Sequence, residues 1–284
     1  MSKVVKVLIG AVIALVVGSV IFGIAIVALA KKGVDSSDSK YVTNEFEIED
    51  DFSNISINAF ADDVQIRRST DGKCSVVCVD HEEIEHDAYV EGDTLYVTSE
   101  AVDNTYFFMN FEIFSNQAPR IIVYLTGDEY DLSLEMDTGD IVFDEGFTFG
   151  NINFDITTGD VNMASINILD KLNFDITTGD IDLTDVECDQ LVYNGTTGDI
   201  NCVNTVANGA MTINVTTGDI NFDRCDASEI YIDAVTGDVS LILLSDKNFD
   251  VDVLTGDSDY PRSGEGGTCR VEVTTGDVDI AIAE

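Results

Sequence analysis

One tripeptide, Thr-Gly-Asp, recurs eight times in phase through the second half of this 284-residue chain, at intervals of 19 or 20 residues. Its glycines are Gly139, Gly159, Gly179, Gly198, Gly218, Gly237, Gly256 and Gly276, and every copy but the seventh is followed by Ile or Val. A fixed period of this length marks a solenoid, whose repeats bury their apolar faces only against neighbouring repeats. The feature restricts architecture tightly and says little about chemistry.

Aligned on the glycine, the copies resolve into columns. Five residues before it stand Leu134, Phe154, Phe174, Tyr193, Ile213, Ile232, Val251 and Val271. The columns seven before, three before, two after and four after are apolar in nearly every copy as well. Four residues before the glycine the side chain is always polar, as at Glu135, Asp155, Asp175, Asn194, Asn214 and Asp233. Alternation with period two puts one face inward and one outward. Each repeat is therefore expected to be a strand, a sharp turn at Thr-Gly-Asp and a second strand, with glycine supplying the φ > 0 that the turn demands. Stacked in parallel register about 4.8 Å apart, the repeats predict an all-β chain: a parallel β-solenoid, or β-helix, of about eight rungs.

Residues 44–131 read as an irregular β part of the same solenoid. Placing Asp63 on the repeat aspartate puts Ile55, Ile57, Ala59, Val64 and Ile66 in the apolar columns, which makes a degenerate first rung. Thr126-Gly127-Asp128 is out of phase, because the same offsets deliver Arg120 and Tyr124. Val76 to Val97 reads as further strands around Glu91-Gly92-Asp93, in the manner of a hairpin. The regular repeats then occupy 132–284.

The N-terminus stands apart. Residues 1–32 contain no Asp or Glu, and Val7 to Ala30 is an unbroken run of 24 uncharged residues. About 20 apolar residues suffice for a helix to cross a bilayer core, so 1–32 reads as a single transmembrane anchor, with 33–43 as a polar linker. Ala28-Leu29-Ala30 has the form of a signal-peptidase site, but the apolar run exceeds the ~7–15 residues of a signal-peptide core. Both readings place residues 33–284 outside the cytoplasm. That segment carries all 54 Asp and Glu against ten Lys and Arg. Such a charge repels nucleic acid, which is excluded as a partner, and anionic membrane surfaces too.

The turns Thr-Gly-Asp-Ile/Val, the apolar N-terminal run and the opening Phe52-Ser-Asn-Ile-Ser-Ile with Asp63-Val-Gln-Ile resemble the bacterial domain-of-unknown-function 4097 family, whose members are often labelled adhesins. The resemblance covers about residues 44–284. It implies a β-solenoid surface or envelope protein, and no catalytic residues come with it. Leu125-Thr126 departs from the Leu-Pro that related sequences carry ahead of the first regular rung.

Several residues invite a chemical reading. The aspartates of the turns (Asp140, Asp160, Asp180, Asp199, Asp219, Asp238, Asp257 and Asp277) would stack into a ladder, repelling by about 0.9 kcal/mol per neighbouring pair even in water. Turn capping, in which each carboxylate accepts backbone N–H bonds of its own turn, offsets that repulsion. A Ca²⁺ ladder is the rival, since the ion takes six to eight oxygens. Turn capping is the expectation, with no cofactor. The paired threonines, as at Thr157-Thr158, present a single column outward, which is too few for an ice-binding array.

His81 and His86 are five apart rather than four, so the stretch between them fails as a zinc-protease helix and reads as a solvated acidic turn. Six cysteines show no CxxC, and Cys202 and Cys269 fall in core columns; disulfide pairing stays open. Tyr106 to Phe114 reads as a cap over one end of the solenoid. The strand edge at the C-terminal end is left open to self-association.

The function expected is non-catalytic: a membrane-anchored surface module, adhesive or structural, with an unidentified protein or glycan ligand. A polysaccharide-acting β-helix enzyme and a calcium-stabilised component of envelope-stress sensing are the alternatives.

Overall fold

The computed structural model describes residues 41–81, 84–101, 119–262, 264 and 266–284. The anchor read at 7–30, most of the linker and the aromatic stretch Tyr106–Phe114 lie outside them. Among the described residues no helix is long and apolar enough to cross a membrane; every regular element there is a β-strand.

The irregular part supplies β1 (Tyr41–Ile48), β2 (Asn54–Ala61), β3 (Asp63–Arg68), β4 (Cys74–His81), β5 (Ile84–Glu91), β6 (Thr94–Ala101) and β7 (Arg120–Leu125). Tyr41–Thr43, grouped by composition with the linker, are already paired within β1. The repeats begin with β8 (Tyr130–Thr138), β9 (Ile141–Phe143), β10 (Thr148–Thr158), β11 (Val161–Ala164), β12 (Asn167–Ile168), β13 (Lys171–Thr178), β14 (Ile181–Thr184) and β15 (Glu187–Cys188). They continue with β16 (Gln190–Thr197), β17 (Ile200–Val203), β18 (Val206–Thr217), β19 (Ile220–Thr236) and β20 (Val239–Leu243). β21 (Asn248–Val253), β22 (Ser258–Asp259), β23 (Thr268–Thr275) and β24 (Val278–Ile282) complete the series.

Strands before each glycine stack in one sheet and strands after it in a second, with the apolar columns facing each other between them. The parallel register agrees with the alignment: Phe154 lies beside Phe174 and Leu134, and Val161 beside Ile181 and Ile141. Phe154 and Phe174 stack at 5.0 Å between centroids, within the range of favourable aromatic pairs. The degenerate rung is where the sequence places it, Ile55 and Ile57 pairing with Leu132 and Leu134, and Val64 with Ile141. β5 and β6 form the hairpin around Gly92.

A second corner repeats as well, one that the apolar columns do not announce. Ser165, Asp185, Asn204 and Arg224 all adopt positive φ, between +49° and +55°. There the chain leaves the short-strand sheet and returns to the other through β12, β15 and their equivalents within β18 and β19. Asn and Asp tolerate this conformation by local hydrogen bonding.

Chain order and spatial order diverge at both ends. The rung made by β6 and β7 stacks outside the one made by β2 and β3, although it comes later in the chain. β4 then closes one sheet in antiparallel fashion against β7, with β1 beyond it, and β5 closes the other against β6. At the opposite end β19 and β20 pair with β23 and β24, and these in turn with β21 and β22. The Gly256 rung is therefore outermost and the Gly276 rung lies inside it. Among the described residues, the end position expected for the final strands is taken instead by β21 and β22.

Candidate functional site

The glycine corner is the most regular feature of the molecule. All eight glycines hold φ between +139° and +153°. A Cβ on Gly179 would overlap the carbonyl oxygen of Gly159, and the same holds from rung to rung up to Gly256 against Gly276. Conformation and close approach thus both exclude any side chain.

Each aspartate of the corner bonds across rungs rather than within its own turn. The N–H of Asp180 donates to Oδ1 of Asp160 at 2.8 Å, that of Asp199 to Asp180 at 2.8 Å, and that of Asp219 to Asp199 at 2.7 Å. The relay starts at Asp63, passes Asp140, Asp160, Asp180, Asp199, Asp219, Asp238 and Asp277, and ends with the N–H of Asp257 on Asp277. A hydrogen bond to a charged group contributes about 1.5–3 kcal/mol, which exceeds the ~0.9 kcal/mol repulsion between neighbouring charges. The expected own-turn cap is corrected to a cap of the next rung, because parallel stacking brings that N–H into line with the carboxylate. Among the described residues no group of three or more His, Cys, Asp and Glu side chains is arranged to hold a metal ion.

Amide side chains ladder in the same way along the outer faces. Asn214 donates to Asn194 and Asn194 to Asp175, while Asn221 donates to Asn201 and Asn201 to Asp182. Asn194, Gly195, Thr196, Asn214, Thr216 and Asp233 line a shallow groove of about 270 Å³ on one face. Beneath Gly195 lies Tyr193, fully buried, its hydroxyl without a hydrogen-bond partner. A side chain at 195 would collide with that hydroxyl, so the missing side chain in one column makes room for the oversized one in another. Burial, with Asp180 and Asp199 adding to it, pushes the Tyr193 hydroxyl up to about 12.

A buried charged cluster sits where the sequence reading placed a solvated turn. His86 lies on β5, its side chain removed from solvent. Its Nδ1 is 2.6 Å from Oδ1 of Asp80 on β4, and its Nε2 is 2.9 Å from Oδ1 of Asp62, in the corner between β2 and β3. The Ser99 hydroxyl, on β6, donates to the other Asp62 oxygen at 2.7 Å and accepts the N–H of Phe60. When the imidazole is protonated, each of its nitrogens can donate to one of these carboxylate oxygens. Burial opposes that charge, but Asp62 and then Asp80 outweigh it and raise the His86 pKa above 6.5. Asp62 occupies the glycine position of the degenerate rung. Ser99 points at Asp62 and not at His86, so the cluster is not laid out for nucleophilic attack; it joins β4 of one sheet to β5 of the other. Alternation in Ile84–Glu91 signals this strand, with Ile84, His86 and Ala88 on one face, but the acidic neighbours disguised it.

Cys78, Cys188, Cys202, Cys225 and Cys269 are buried and unbridged, and Cys74 is half-buried. Burial pushes the thiols of Cys78, Cys188 and Cys269 up to about 12 and that of Cys225 to about 11, so they pack as small hydrophobes. Near β1, Glu47, Asp50, Asp51, Phe52, Lys73 and Tyr130 line a cleft of about 400 Å³, in which Phe52 stacks on Tyr130 at 5.3 Å and Lys73 pairs with Glu47.

Two crystal structures share this fold. A "putative adhesin" from Bacteroides fragilis superposes with a TM-score of 0.52 at 16% identity, over 87% of this chain and 100% of that one. A "putative adhesin" from Parabacteroides distasonis gives 0.51 at 12% identity, over 86% and 98%. No curated protein matches the chain. The family model described as Toastrack DUF4097 matches residues 52–279, from the degenerate rung to the Gly276 rung, and with these repeats, glycine corners and paired sheets the chain belongs to that family.

Proposed function

We propose that this protein is a non-catalytic surface module: residues 7–30 anchor it as a single span, and residues 33–284 display the solenoid outside the cytoplasm to bind a protein or glycan. The observation that carries this reading is the outer face itself, where amide, hydroxyl and carboxylate side chains are locked rung to rung by hydrogen bonds. Rigid, repeated polar columns lose little entropy on binding an extended ligand. The groups best suited to chemistry are spent elsewhere, His86 between two carboxylates and five thiols within the core. The name adhesin, carried by the two structures of like fold, points the same way.

Two measurements test the proposal. An epitope placed after Glu284 should be cleaved by protease added to intact cells; protection would refute the orientation. The full-length chain in detergent should retain ligands on an array of glycans and matrix proteins without altering them. Turnover of an acidic polysaccharide would overturn the non-catalytic reading.

A further inference from the structure

On the outer face of the sheet whose strands precede the glycines, an amide ladder runs in one direction and stops at Asp233. Asn194 donates its side-chain N–H to Asp175 at 2.7 Å, and Asn214 donates to Asn194 at 2.9 Å. The Asn214 carbonyl oxygen is thereby turned toward the next rung, where its neighbour in register is Asp233. An ionised carboxylate only accepts hydrogen bonds, so two acceptors meet across a rung spacing of about 4.8 Å without a donor between them. On its other side Asp233 neighbours Glu272, which holds the Arg270 guanidinium. Among the described residues the Asp233 carboxylate therefore has no hydrogen-bond or ion-pair partner. On the opposite face the matching ladder, from Asn221 to Asn201 to Asp182, meets Ser240, whose hydroxyl can donate.

This junction lies in the shallow groove of about 270 Å³, with Thr196, Thr216 and the 43% exposed Val235 in its lining. Two residues before Asp233, Tyr231 is half-buried and its hydroxyl donates to Glu229 at 2.9 Å, so its ring is a fixed apolar surface beside the groove. In a chain with 54 acidic residues, the outward Val192, Asn194, Thr196, Thr212, Asn214 and Thr216 make an uncharged patch. Acidic groups bound it at Asp175, Asp233, Glu229 and Glu272, and the one cation beside Tyr231 in register, Arg270, is engaged by Glu272 and by the charges of Asp250 and Asp252. A ligand for this place must donate hydrogen bonds, offer apolar C–H surface and carry no negative charge. We propose, on the basis of the surface-module reading above, that the groove binds a neutral hexose glycan. Adjacent sugar hydroxyls donate to the Asn214 carbonyl oxygen and to the Asp233 carboxylate, the second being the stronger bond, and C–H groups of the sugar pack on Val235 and Tyr231. A protein ligand fits less well. The lining is mostly amide, hydroxyl and carboxylate, without the desolvated pocket that an anchoring side chain needs. β16, β18 and β19 each pair on both sides within this sheet, leaving no edge there for an added strand.

The test presents the full-length chain in detergent to neutral gluco-, manno- and galacto-oligosaccharides, to oligogalacturonates and to matrix proteins. At least one neutral oligosaccharide should be retained, and the oligogalacturonates should not. Asp233→Asn, at an exposed position, lets the protein supply the missing donor and continue its own ladder. It should weaken the retained sugar by about tenfold or more, the contribution of one hydrogen bond to a charged group. Asp155→Asn removes the same charge from the same column two rungs before the groove and should leave the affinity unchanged. Equal affinity of wild type and Asp233→Asn, or equal weakening by both variants, would overturn the proposal. Loss of sugar binding in EDTA would give the two acceptors to a metal ion and overturn it as well. Retention of matrix proteins but of no neutral glycan would overturn it while the surface-module reading stands; retention of nothing would remove that reading too.

Discussion

At position 179 the chain has no room for a methyl group, since any Cβ would overlap the carbonyl oxygen of Gly159 while φ stands at +149°. Gly179→Ala is expected to cost about 3 kcal/mol or more, from left-handed strain plus displacement of a neighbouring rung. Gly92→Ala, with positive φ but open space around it, should cost only about 1 kcal/mol. Similar losses in chemical denaturation would show that steric contact between rungs is not what demands glycine. The Tyr193 and Gly195 pair makes a second test. Gly195→Val should destabilise strongly by itself, and Tyr193→Ile in the same chain should recover most of the loss; additive losses would disprove the compensation. Both departures stand in the aligned repeats, Tyr among Phe and Ile, and Gly among Ile and Val. The glycine corner was legible because one residue type alone satisfies it. The direction of the aspartate bonds was not, because a carboxylate satisfies its own turn and the next rung with the same atoms.

Across neighbouring elements, the His86 cluster ties β4 and β5, one from each sheet, to the corner after β2. Asp62, Asp80 and Ser99 face the imidazole directly. Cys78 on β4 feels the charges of Asp80 and Asp62, and Asp63 that of Asp62, both groups pushed up chiefly by burial. The folded pKa of His86 lies above its unfolded 6.5, so its stabilisation is fully present below about pH 6.5 and fades as pH rises through the folded value. His86→Ala leaves two carboxylates uncompensated and should cost about 3–5 kcal/mol at low pH. The gap between wild type and variant should then narrow on the alkaline side. A gap constant from roughly pH 6 to 9 would mean that the histidine is neutral throughout. For the aspartate ladder, one oxygen of every carboxylate in the relay except that of Asp257 is already bonded to an N–H. Melting temperatures in millimolar Ca²⁺ and millimolar Mg²⁺ should therefore coincide, both raised slightly over EDTA by screening. A rise peculiar to calcium would place the ion in the ladder. The hairpin around Gly92 was readable in the sequence, whereas the burial of His86 was not, because its partners come from segments that only tertiary stacking brings together.

For the molecule as a whole, the order of rungs in space differs from their order along the chain. β23 and β24 lie between β19/β20 and β21/β22. Truncation after Arg262 would thus remove an inner rung and leave β21 and β22 without the strands they pair with. Truncation after Lys247 removes both rungs and leaves the Gly237 rung as a simple new end. Limited proteolysis should find the longer fragment cut at β21 and β22 and the shorter one resistant, each repeat being held mainly by its neighbours. Equal resistance would show that the Gly256 rung re-docks freely on the Gly237 rung. The period predicts the rungs and their contents but not this exchange, since all the repeats share one apolar pattern and nothing local in a sequence ranks them. The exchange bears on how the protein is made. A solenoid whose rungs stack in the order of synthesis can settle copy by copy behind the ribosome. Here β21 and β22 must wait for strands still to be translated, and at the other end β2 and β3 wait likewise for β6 and β7, so both ends of the stack close only after a later stretch of chain has emerged.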